Sequence, residues 1–345
     1  MIIAVDAMGG DNAPVEIVKG AIEAVKAEEG FDVLLIGDSQ RIEEIIKASG
    51  YVGDRIRICN TTEVITNEDA PTKAIKTKKD SSIHVGFDLV KADEADCLIS
   101  AGSSGALLAG SVMLLKRIPG VDRPAVATAV PSGKGNVLLI DSGFNTSVKP
   151  VNYVQFGLLG SAYMKAAFGC ENPRVGLINI GVEEEKGDPV IKEANALLKN
   201  AKLNFIGNLE SRDFFNDVAD VAVTDGFTGN VMLKLIEGAS EFLFGEIKKV
   251  FSTNARTKIG AAMVAGELKE LKKKVDTDIL GGAPVLGIDR LVIKSHGSSK
   301  ARTIKYVILK ARKLIESDFI EDLRQHCGEL FVSEQEGDSG DGLRE

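Results

Sequence analysis

A short polar stretch near the middle of the chain combines groups that hold anions. The stretch 221–234, VAVTDGFTGNVMLK, reads as an apolar strand, a tight loop and the start of a helix. Lys234 lies about one turn inside that helix. Free backbone N–H groups at a helix start attract anions, and a nearby lysine adds positive charge. The stretch therefore predicts an anion site.

The same construction recurs after other predicted strands. The five further loops are DAMGGD at 6–11, SAGSSG at 100–105, DSGFN at 141–145, NIGVEEEKG at 179–187 and SHGSS at 295–299. Each loop alone is typical of a turn and a helix cap. Together, with Lys186, Lys234 and His296 beside them, they favour a cleft for a tetrahedral anion.

The candidate catalytic residues in these loops are Lys186, Asn230 and His296. The candidate phosphate- or substrate-binding residues are Asp6, Gly9, Gly10, Asp11, Ser103, Ser104, Gly105, Asn145, Gly226, Thr228, Gly229, Lys234, Gly297 and Ser298.

Several of these residues also have simpler interpretations. Lys186 could be a solvated charge beside a run of glutamates, and His296 could only cap a helix. Lys234 could pair with Asp225 rather than touch a ligand. Asp6 and Asp11 could hold Mg²⁺, but two such aspartates more often cap a turn and a helix start. We predict no metal site.

Composition and missing motifs exclude other classes of protein. A formal net charge of −8 argues against general nucleic-acid binding. The chain has neither GxGxxG after a strand nor GxxxxGK[ST], so nothing indicates a nucleotide cofactor. No zinc motif or nucleophile elbow is present. We predict that the protein needs no cofactor.

The loops must be positioned by the elements around them. Apolar strand-like runs alternate with helical patterns, which predicts an α/β fold with a mostly parallel sheet covered on both faces. Ligands in such folds bind beyond the carboxyl ends of strands, where the six loops fall. We expect one continuous catalytic unit over residues 1–332, with a helical protrusion around 251–280 and a disordered tail at 333–345.

The amino terminus and the cysteines indicate a cytoplasmic location. MIIAVDAMGGD reads as a strand start and lacks the basic and apolar regions of a signal peptide. Four scattered cysteines without a CxxC pair are typical of reduced cysteines in the cytosol.

The predicted protrusion has an amphipathic pattern. Val264, Leu268, Leu271 and Val275 fall on one helical stripe, while several lysines lie off it. Such a helix could lie on a membrane surface or form a dimer interface, and periodicity slightly favours the dimer.

The loops and their order resemble one family along nearly the whole chain. AVDAMGGDNAP, SAGSSGALLAG, NIGVEEEKGD, GNLESRD, DGFTGNVMLK, GGAPVLG and HGSS are similar to stretches of the phosphate acyltransferases of bacterial phospholipid synthesis, PlsX. The chain departs from the family pattern at Ser103, Phe144 and Arg290, and Ser103 removes an amide from a loop of the cleft.

The resemblance implies both a fold and a reaction. The fold would be a three-layer α/β/α sandwich related to isocitrate and isopropylmalate dehydrogenases. Inorganic phosphate would attack the thioester of a long-chain acyl-acyl carrier protein and give acyl phosphate for phospholipid synthesis. Alternatives are a CoA-dependent phosphate acyltransferase of the acetyl type and a non-catalytic membrane-docked scaffold for lipid-synthesis enzymes.

The resemblance also implies partners. The protein would be a homodimer in peripheral contact with the cytoplasmic membrane, and we add the glycerol-3-phosphate acyltransferase as an expected partner. Acyl carrier protein is acidic, so basic residues should dock it. We expect Arg256, Lys258 and 272–274, or Arg302 and Lys305, to do so.

Overall fold

The computed structural model describes residues 1–133, 135–274 and 282–325, without the side chains of 272–274. Val275 of the predicted amphipathic stripe and the predicted tail at 333–345 lie outside the described residues. The expected extent of the catalytic unit stays a prediction.

The strands of the described chain join in one mixed sheet. They are β1 (Ile2–Asp6), β2 (Asp32–Gly37), β3 (Ile56–Asn60), β4 (Cys97–Ser100), β5 (Ala125–Pro131), β6 (Asn136–Ile140), β7 (Arg174–Asn179), β8 (Asn204–Glu210), β9 (Val221–Val223), β10 (Ala283–Leu286) and β11 (Leu291–Lys294).

Helices connect most of these strands. They are α1 (Val15–Ala27), α2 (Ser39–Ala48), α3 (Pro71–Thr77), α4 (Ser82–Lys91), α5 (Ser104–Leu114), α6 (Pro150–Phe168), α7 (Pro189–Asn200), α8 (Gly226–Ser252), α9 (Ala255–Met263), α10 (Ala265–Lys274) and α11 (Ala301–Glu316).

The sheet consists of two parallel halves that run in opposite directions. Its order is β3-β2-β1-β4-β11-β10-β5-β6-β9-β7-β8. The first half, β3 to β11, is parallel throughout, and so is the second half, β6 to β8. The strands β10 and β5 lie between the halves and pair antiparallel with each other and with both neighbours.

Helices cover both faces of the sheet, as the sequence predicts. One apolar core joins the sheet to α1, α6, α7 and α11. Two other cores lie under α3, α4 and α5 and under the start of α8. The near-continuous apolar runs of the central strands follow from burial on both faces. The predicted three-layer α/β/α architecture is confirmed, while its relation to the dehydrogenases stays a prediction.

Strand register brings the carboxyl ends of the two halves close together. Ile293 of β11 pairs with Pro284, and Ala127 of β5 pairs with Ile140 of β6. Because Val285 pairs with Val126, these four residues lie at nearly the same level of the sheet. The ends of β11 and β6 are three strand spacings apart, or about 14 Å. The six loops therefore follow two sets of strands that run in opposite directions and end near each other.

The helix α8 leaves the sheet and carries the protrusion. At 27 residues it is about 40 Å long. Only Gly226 and Gly229, both in its first turn, are fully buried. Large apolar side chains exposed along it and α9 are Phe227, Val231, Leu235, Phe242, Leu243, Ile247, Val250, Ile259 and Met263. Of the predicted amphipathic stripe, Leu268 and Leu271 lie within α10, and Val264 lies directly before it, between α9 and α10.

Candidate active site

Three loops of the first half interlock in what we call the first loop cluster (6–12, 100–105 and 295–299). The Asp11 N–H donates to the Gly297 carbonyl at 2.8 Å, and the Asn12 side-chain amide donates to the Ser298 carbonyl at 2.9 Å. A Cβ on Gly9 would lie 2.7 Å from the Gly102 backbone nitrogen. Glycine is therefore required at position 9 for two loops to approach closely.

Asp6 is the buried centre of the first loop cluster. The Ser100 hydroxyl donates to its carboxylate at 2.7 Å, and the Met8 N–H donates at 3.1 Å. Burial raises the pKa of Asp6, while hydrogen bonds from Ser82 and Ser100 oppose that rise. Asp6 thus fixes the loops and also binds the start of α4 through Ser82.

His296 projects from the first loop cluster into solvent. Its Nδ1 lies 2.8 Å from the Ser298 hydroxyl and accepts from the Ser298 N–H at 3.2 Å. We therefore assign the proton of the neutral ring to Nε2. Nε2 lies 4.0 Å from a carboxylate oxygen of Glu237 on α8. The ring can donate a hydrogen bond from Nε2 to a ligand in the cleft.

The second loop cluster (141–145 and 225–230) is organised by Asp141. This buried carboxylate accepts from the N–H groups of Phe144 at 2.9 Å and Asn145 at 2.7 Å. It also accepts from the Gly143 N–H and the Asn145 side chain. The Asn145 amide donates to the Pro124 carbonyl as well, so both of its hydrogens are engaged. Burial raises the pKa of Asp141, and its four donors oppose the rise.

The start of α8 differs from the sequence prediction. Asp225 caps the helix, accepting from the N–H groups of Phe227 and Thr228 at 2.9 Å each and from the Thr228 hydroxyl at 2.8 Å. The Gly226 N–H donates to the Asn145 carbonyl, and the Gly229 N–H donates to the Asp225 carbonyl. The prediction of free N–H groups in DGFTGN is therefore wrong.

The two glycines at this helix start serve close packing. A Cβ on Gly229 would lie 2.1 Å from the Asp141 carbonyl oxygen, and one on Gly226 would lie 2.6 Å from the Asn145 nitrogen. These spacings leave no room for a side chain. The glycines thus allow the first turn of α8 to rest on the 141–145 loop.

One face of α8 links the two loop clusters. Asn230 donates to the Ser142 carbonyl at 3.5 Å, and Glu237 faces His296. Lys234, between them, is close enough to Lys294 at the end of β11 to lower that residue's pKa. Residues 230, 234 and 237 follow the three- and four-residue spacing of one helical face. We call them the bridging stripe.

Lys294 is a candidate residue that the sequence interpretation missed. Its pKa is lowered to about 8, chiefly by burial and also by Lys234, while Asp6 and Asp11 act in the opposite direction. Its ammonium donates to the Ser295 carbonyl. The available signal was a lysine ending the otherwise apolar strand LVIK, directly before SHGSS. Two lysines that repel each other beside a cleft favour an anion between them.

Lys234 does not form the ion pair with Asp225 that its sequence position allows. Within the described chain it forms no ion pair with Asp225 or with any other carboxylate. Asp225 is instead used by the helix cap. The positive charge of Lys234 is therefore available to a ligand in the cleft.

Lys186 lies on a separate loop after β7. Its carbonyl accepts from the Asn179 side chain at 3.1 Å, and its own side chain is exposed. Asp188, at the end of this loop, and Asp225 both act with burial to raise the pKa of Tyr153, so the loop end is near the start of α8. No hydrogen bond or ion pair in the described chain joins Lys186 to the bridging stripe.

The remaining candidates and the three departures have defined places. Ser103 caps α5, accepting from the Ala106 N–H at 3.4 Å, while Ser104 is exposed and Gly105 contacts α3. Gly10 has φ +100°, which favours glycine. Phe144 packs into the core beside α5, and Arg290 pairs with Asp93 at 3.0 Å, far from the loop clusters.

The described residues give two negative results. They contain no group of three or more His, Cys, Asp or Glu side chains arranged to hold a metal ion. None of the described helices has both the length and the apolar character needed to cross a bilayer.

Fold and site together define an α/β protein with a polar cleft where two opposed sets of strands end. Residues 1–322 match the family model described as "Fatty acid synthesis protein". The chain belongs to this family, the PlsX phosphate acyltransferases, and the resemblance inferred from the loops is confirmed. The protein is therefore an acyltransferase of fatty acid and lipid synthesis.

Two relatives illustrate the match. The phosphate acyltransferase of Acetivibrio thermocellus is 52% identical over 338 residues, which cover 98% of this chain and 100% of that protein. The phosphate acyltransferase of Alkaliphilus oremlandii is 46% identical over 336 residues, which cover 97% and 100%.

Solved structures show the same fold at low identity. A phosphotransacetylase from Streptococcus pyogenes aligns with a TM-score of 0.61 and 17% identity, covering 91% of this chain and 94% of that one. A branched-chain phosphotransacylase from Enterococcus faecalis aligns with a TM-score of 0.55 and 15% identity, covering 91% and 99%.

Proposed function

We propose that the protein transfers a long-chain acyl group from acyl-acyl carrier protein to inorganic phosphate and releases acyl phosphate. Membership of the phosphate acyltransferases supports the acceptor. The observation that carries the proposal to this site is the bridging stripe, which places Asn230 and Lys234 between the two loop clusters and beside Lys294 and His296.

Phosphate would bind between Lys234 and Lys294. Two ammonium groups near each other offset the charge of a phosphate dianion, and their mutual repulsion falls when the anion binds. The Nε2–H of His296 would donate to a third oxygen. Lys186 would neutralise further charge if its loop brings the exposed side chain to the bound substrates.

Bound phosphate needs no enzyme nucleophile. One of its oxygens attacks the thioester carbonyl carbon, a C–O bond forms, and the carbonyl oxygen becomes an oxyanion. The Asn230 side-chain amide, whose bond to Ser142 is long at 3.5 Å, would donate to that oxyanion. The C–S bond then breaks, its electron pair leaves with the thiolate of the carrier arm, and the carbonyl reforms as acyl phosphate.

Product analysis tests the reaction. Purified protein, palmitoyl-acyl carrier protein and phosphate should yield palmitoyl phosphate and free carrier in equal amounts. Alanine at Asn230, His296 or Lys186 should lower turnover at least about 100-fold, the scale of losing one oxyanion donor. Near-normal rates in all three variants would show that the site is elsewhere. A strong preference for acetyl-CoA would favour the acetyl-type alternative.

We also propose that the protein is a cytoplasmic homodimer in peripheral contact with the membrane. Exposed phenylalanine, leucine and valine along α8 form a large apolar surface, which on a soluble protein marks an interaction site. We propose that α8 pairs with a second copy and that the protrusion contacts the bilayer. Acyl phosphate would then pass to the glycerol-3-phosphate acyltransferase.

Two measurements separate these roles. Phe242→Glu should convert a dimer to monomer in analytical ultracentrifugation, because it places a charge in the apolar surface. Met263→Glu should reduce co-flotation with anionic vesicles while the sedimentation coefficient stays unchanged. Wild-type protein that sediments as a monomer contradicts the dimer, and wild-type protein that never floats with vesicles contradicts the membrane contact.

A further inference from the structure

The strongest unassigned surface is a row of lysines on α3 and just after it. Lys73, Lys76 and Lys79 are exposed, and in the part of the chain that the structure describes their ammonium groups have no ion-pair partner. We call these three residues the basic ridge. The fourth lysine of the segment, Lys78, instead pairs with Asp69 at 2.7 Å and donates to the Val64 carbonyl.

The two aspartates that flank the basic ridge in sequence are already engaged. Asp69 binds Lys78 and the Thr66 N–H, and the pKa of Asp69 is lowered chiefly by the Lys78 bond. Asp80 accepts from the Thr62 hydroxyl and N–H, which lower its pKa. Three lysines without an ion-pair partner among the described residues thus lie close in sequence on a chain whose net charge is −8.

The basic ridge adjoins the candidate active site on two sides. Lys79 is three residues before Ser82, whose side chain bonds to Asp6 in the first loop cluster. At the other end of α3, a Cβ on Gly105 would lie 2.6 Å from Pro71, so α3 touches the loop that begins α5. The ridge therefore borders the loops that hold the proposed phosphate site.

Half-exposed apolar side chains lie on the neighbouring helix. Val112 and Met113 of α5 are about two-fifths exposed, although α5 packs on α3. Exposed positive charges and exposed apolar side chains on two helices that pack together fit a partner that presents acidic and apolar groups together.

The basic patches expected from sequence are less well placed. Arg256 and Lys258 follow the end of α8, about 33 Å along the helix from Asn230. Arg302 already lies over the Tyr306 ring at 5.8 Å. Neither of these two arginines is a free charge beside the loops of the first cluster.

We propose that the basic ridge docks the acidic acyl carrier protein, so that its thioester arm enters between the two loop clusters. This inference rests on the proposed function, since it concerns the donor of that reaction. The ridge supplies long-range attraction and orientation, while the cleft performs the transfer.

The test compares Lys73→Glu/Lys76→Glu with Lys47→Glu/Lys192→Glu. The control lysines are exposed on α2 and α7, which pack on the opposite core, and the change in net charge is the same. We expect the ridge variant to raise KM for palmitoyl-acyl carrier protein at least about tenfold at low salt, with the difference shrinking as salt rises. Its rate with palmitoyl-pantetheine, which carries the thioester without the protein, should match wild type.

Three results would overturn the proposal. They are an unchanged KM in the ridge variant, an equal rise in the control variant, and a rise confined to Arg256→Glu/Lys258→Glu. Direct titration of carrier protein onto each variant keeps docking separate from chemistry. If wild-type protein makes no acyl phosphate but binds the carrier through the ridge, the proposed reaction fails while the docking surface stands.

Discussion

The two loop clusters are each held by a buried carboxylate but differ in the other polar side chains they carry. In the second cluster, Asp141 and Asp225 satisfy the N–H groups around them, and Asn145 donates both amide hydrogens internally. In the first cluster, Asp6 likewise accepts from the groups around it, but His296 is exposed, and Lys294 lies directly before the cluster at the end of β11. The comparison indicates that the second half of the sheet supports the first turn of α8, whereas the first half supplies positive charge. The bridging stripe joins the two.

The largest effect is expected when the central carboxylate of the second loop cluster is removed. Asp141→Ala leaves several buried N–H groups without an acceptor, so the free energy of unfolding should fall by about 3 kcal/mol or more. Chemical denaturation monitored by circular dichroism measures this. Asp54→Ala, at an exposed aspartate, should change stability by no more than about 0.5 kcal/mol. Equal losses in the two variants would show that Asp141 does not have the structural role assigned to it in the second cluster.

Substitutions of the lysines beside the cleft should affect catalysis rather than stability. Lys234→Ala and Lys294→Ala should each lower kcat/KM for phosphate about 100-fold, which corresponds to about 2.7 kcal/mol of transition-state stabilisation. Lys234→Ala should unfold at the wild-type denaturant concentration, because Lys234 is unpaired in the described chain. A large loss of stability in that variant, with activity retained, would contradict the assignment.

The pH dependence should sharpen the role of Lys294. Its pKa is lowered to about 8 by burial, so the side chain loses its charge as pH rises through 8. KM for phosphate should then rise up to about tenfold per pH unit above 8, where inorganic phosphate is already dianionic. Lys294→Arg keeps its charge and should flatten the profile. A wild-type profile that is flat from pH 8 to 9.5 would exclude Lys294 from phosphate binding.

The smallest effect is expected at a cap in the first cluster. Ser103→Ala removes the acceptor for the Ala106 N–H and should cost about 1 kcal/mol of stability. Ser103→Asn keeps a capping oxygen and should be nearly neutral. A loss as large as that of Asp141→Ala would mean that the first cluster is as much a structural support as the second.

Much of this architecture could be predicted from sequence because its signals are local. Strand and helix periodicity located most elements, and glycine-rich turns marked the loops. The fold class followed from alternation of strands and helices. The short strand β10 was missed, because APVL between glycines shows no alternation and its pairing with β5 and β11 is fixed only by tertiary contacts.

The site was harder to predict because its geometry depends on long-range pairing. Sequence could not show that the two halves of the sheet oppose each other, since strand direction is set by the antiparallel strands β10 and β5. It also could not show that Asp225 occupies the N–H groups of its own helix. Lys294 was overlooked because a strand-terminal lysine resembles a solvated end residue until burial and Lys234 are seen beside it.

The order of strands has a consequence for how the chain folds as it is synthesised. Strands β5 to β9 are consecutive over residues 125–223, so the second half can complete its pairing early. In the first half, β4 ends at residue 100, but its neighbour β11 is synthesised only at residues 291–294. Until then β4 is an unpaired apolar edge, which favours association with other chains. Chains released before β11 is synthesised should protect β6 amides from hydrogen exchange, while the β4 amides that face β11 exchange freely.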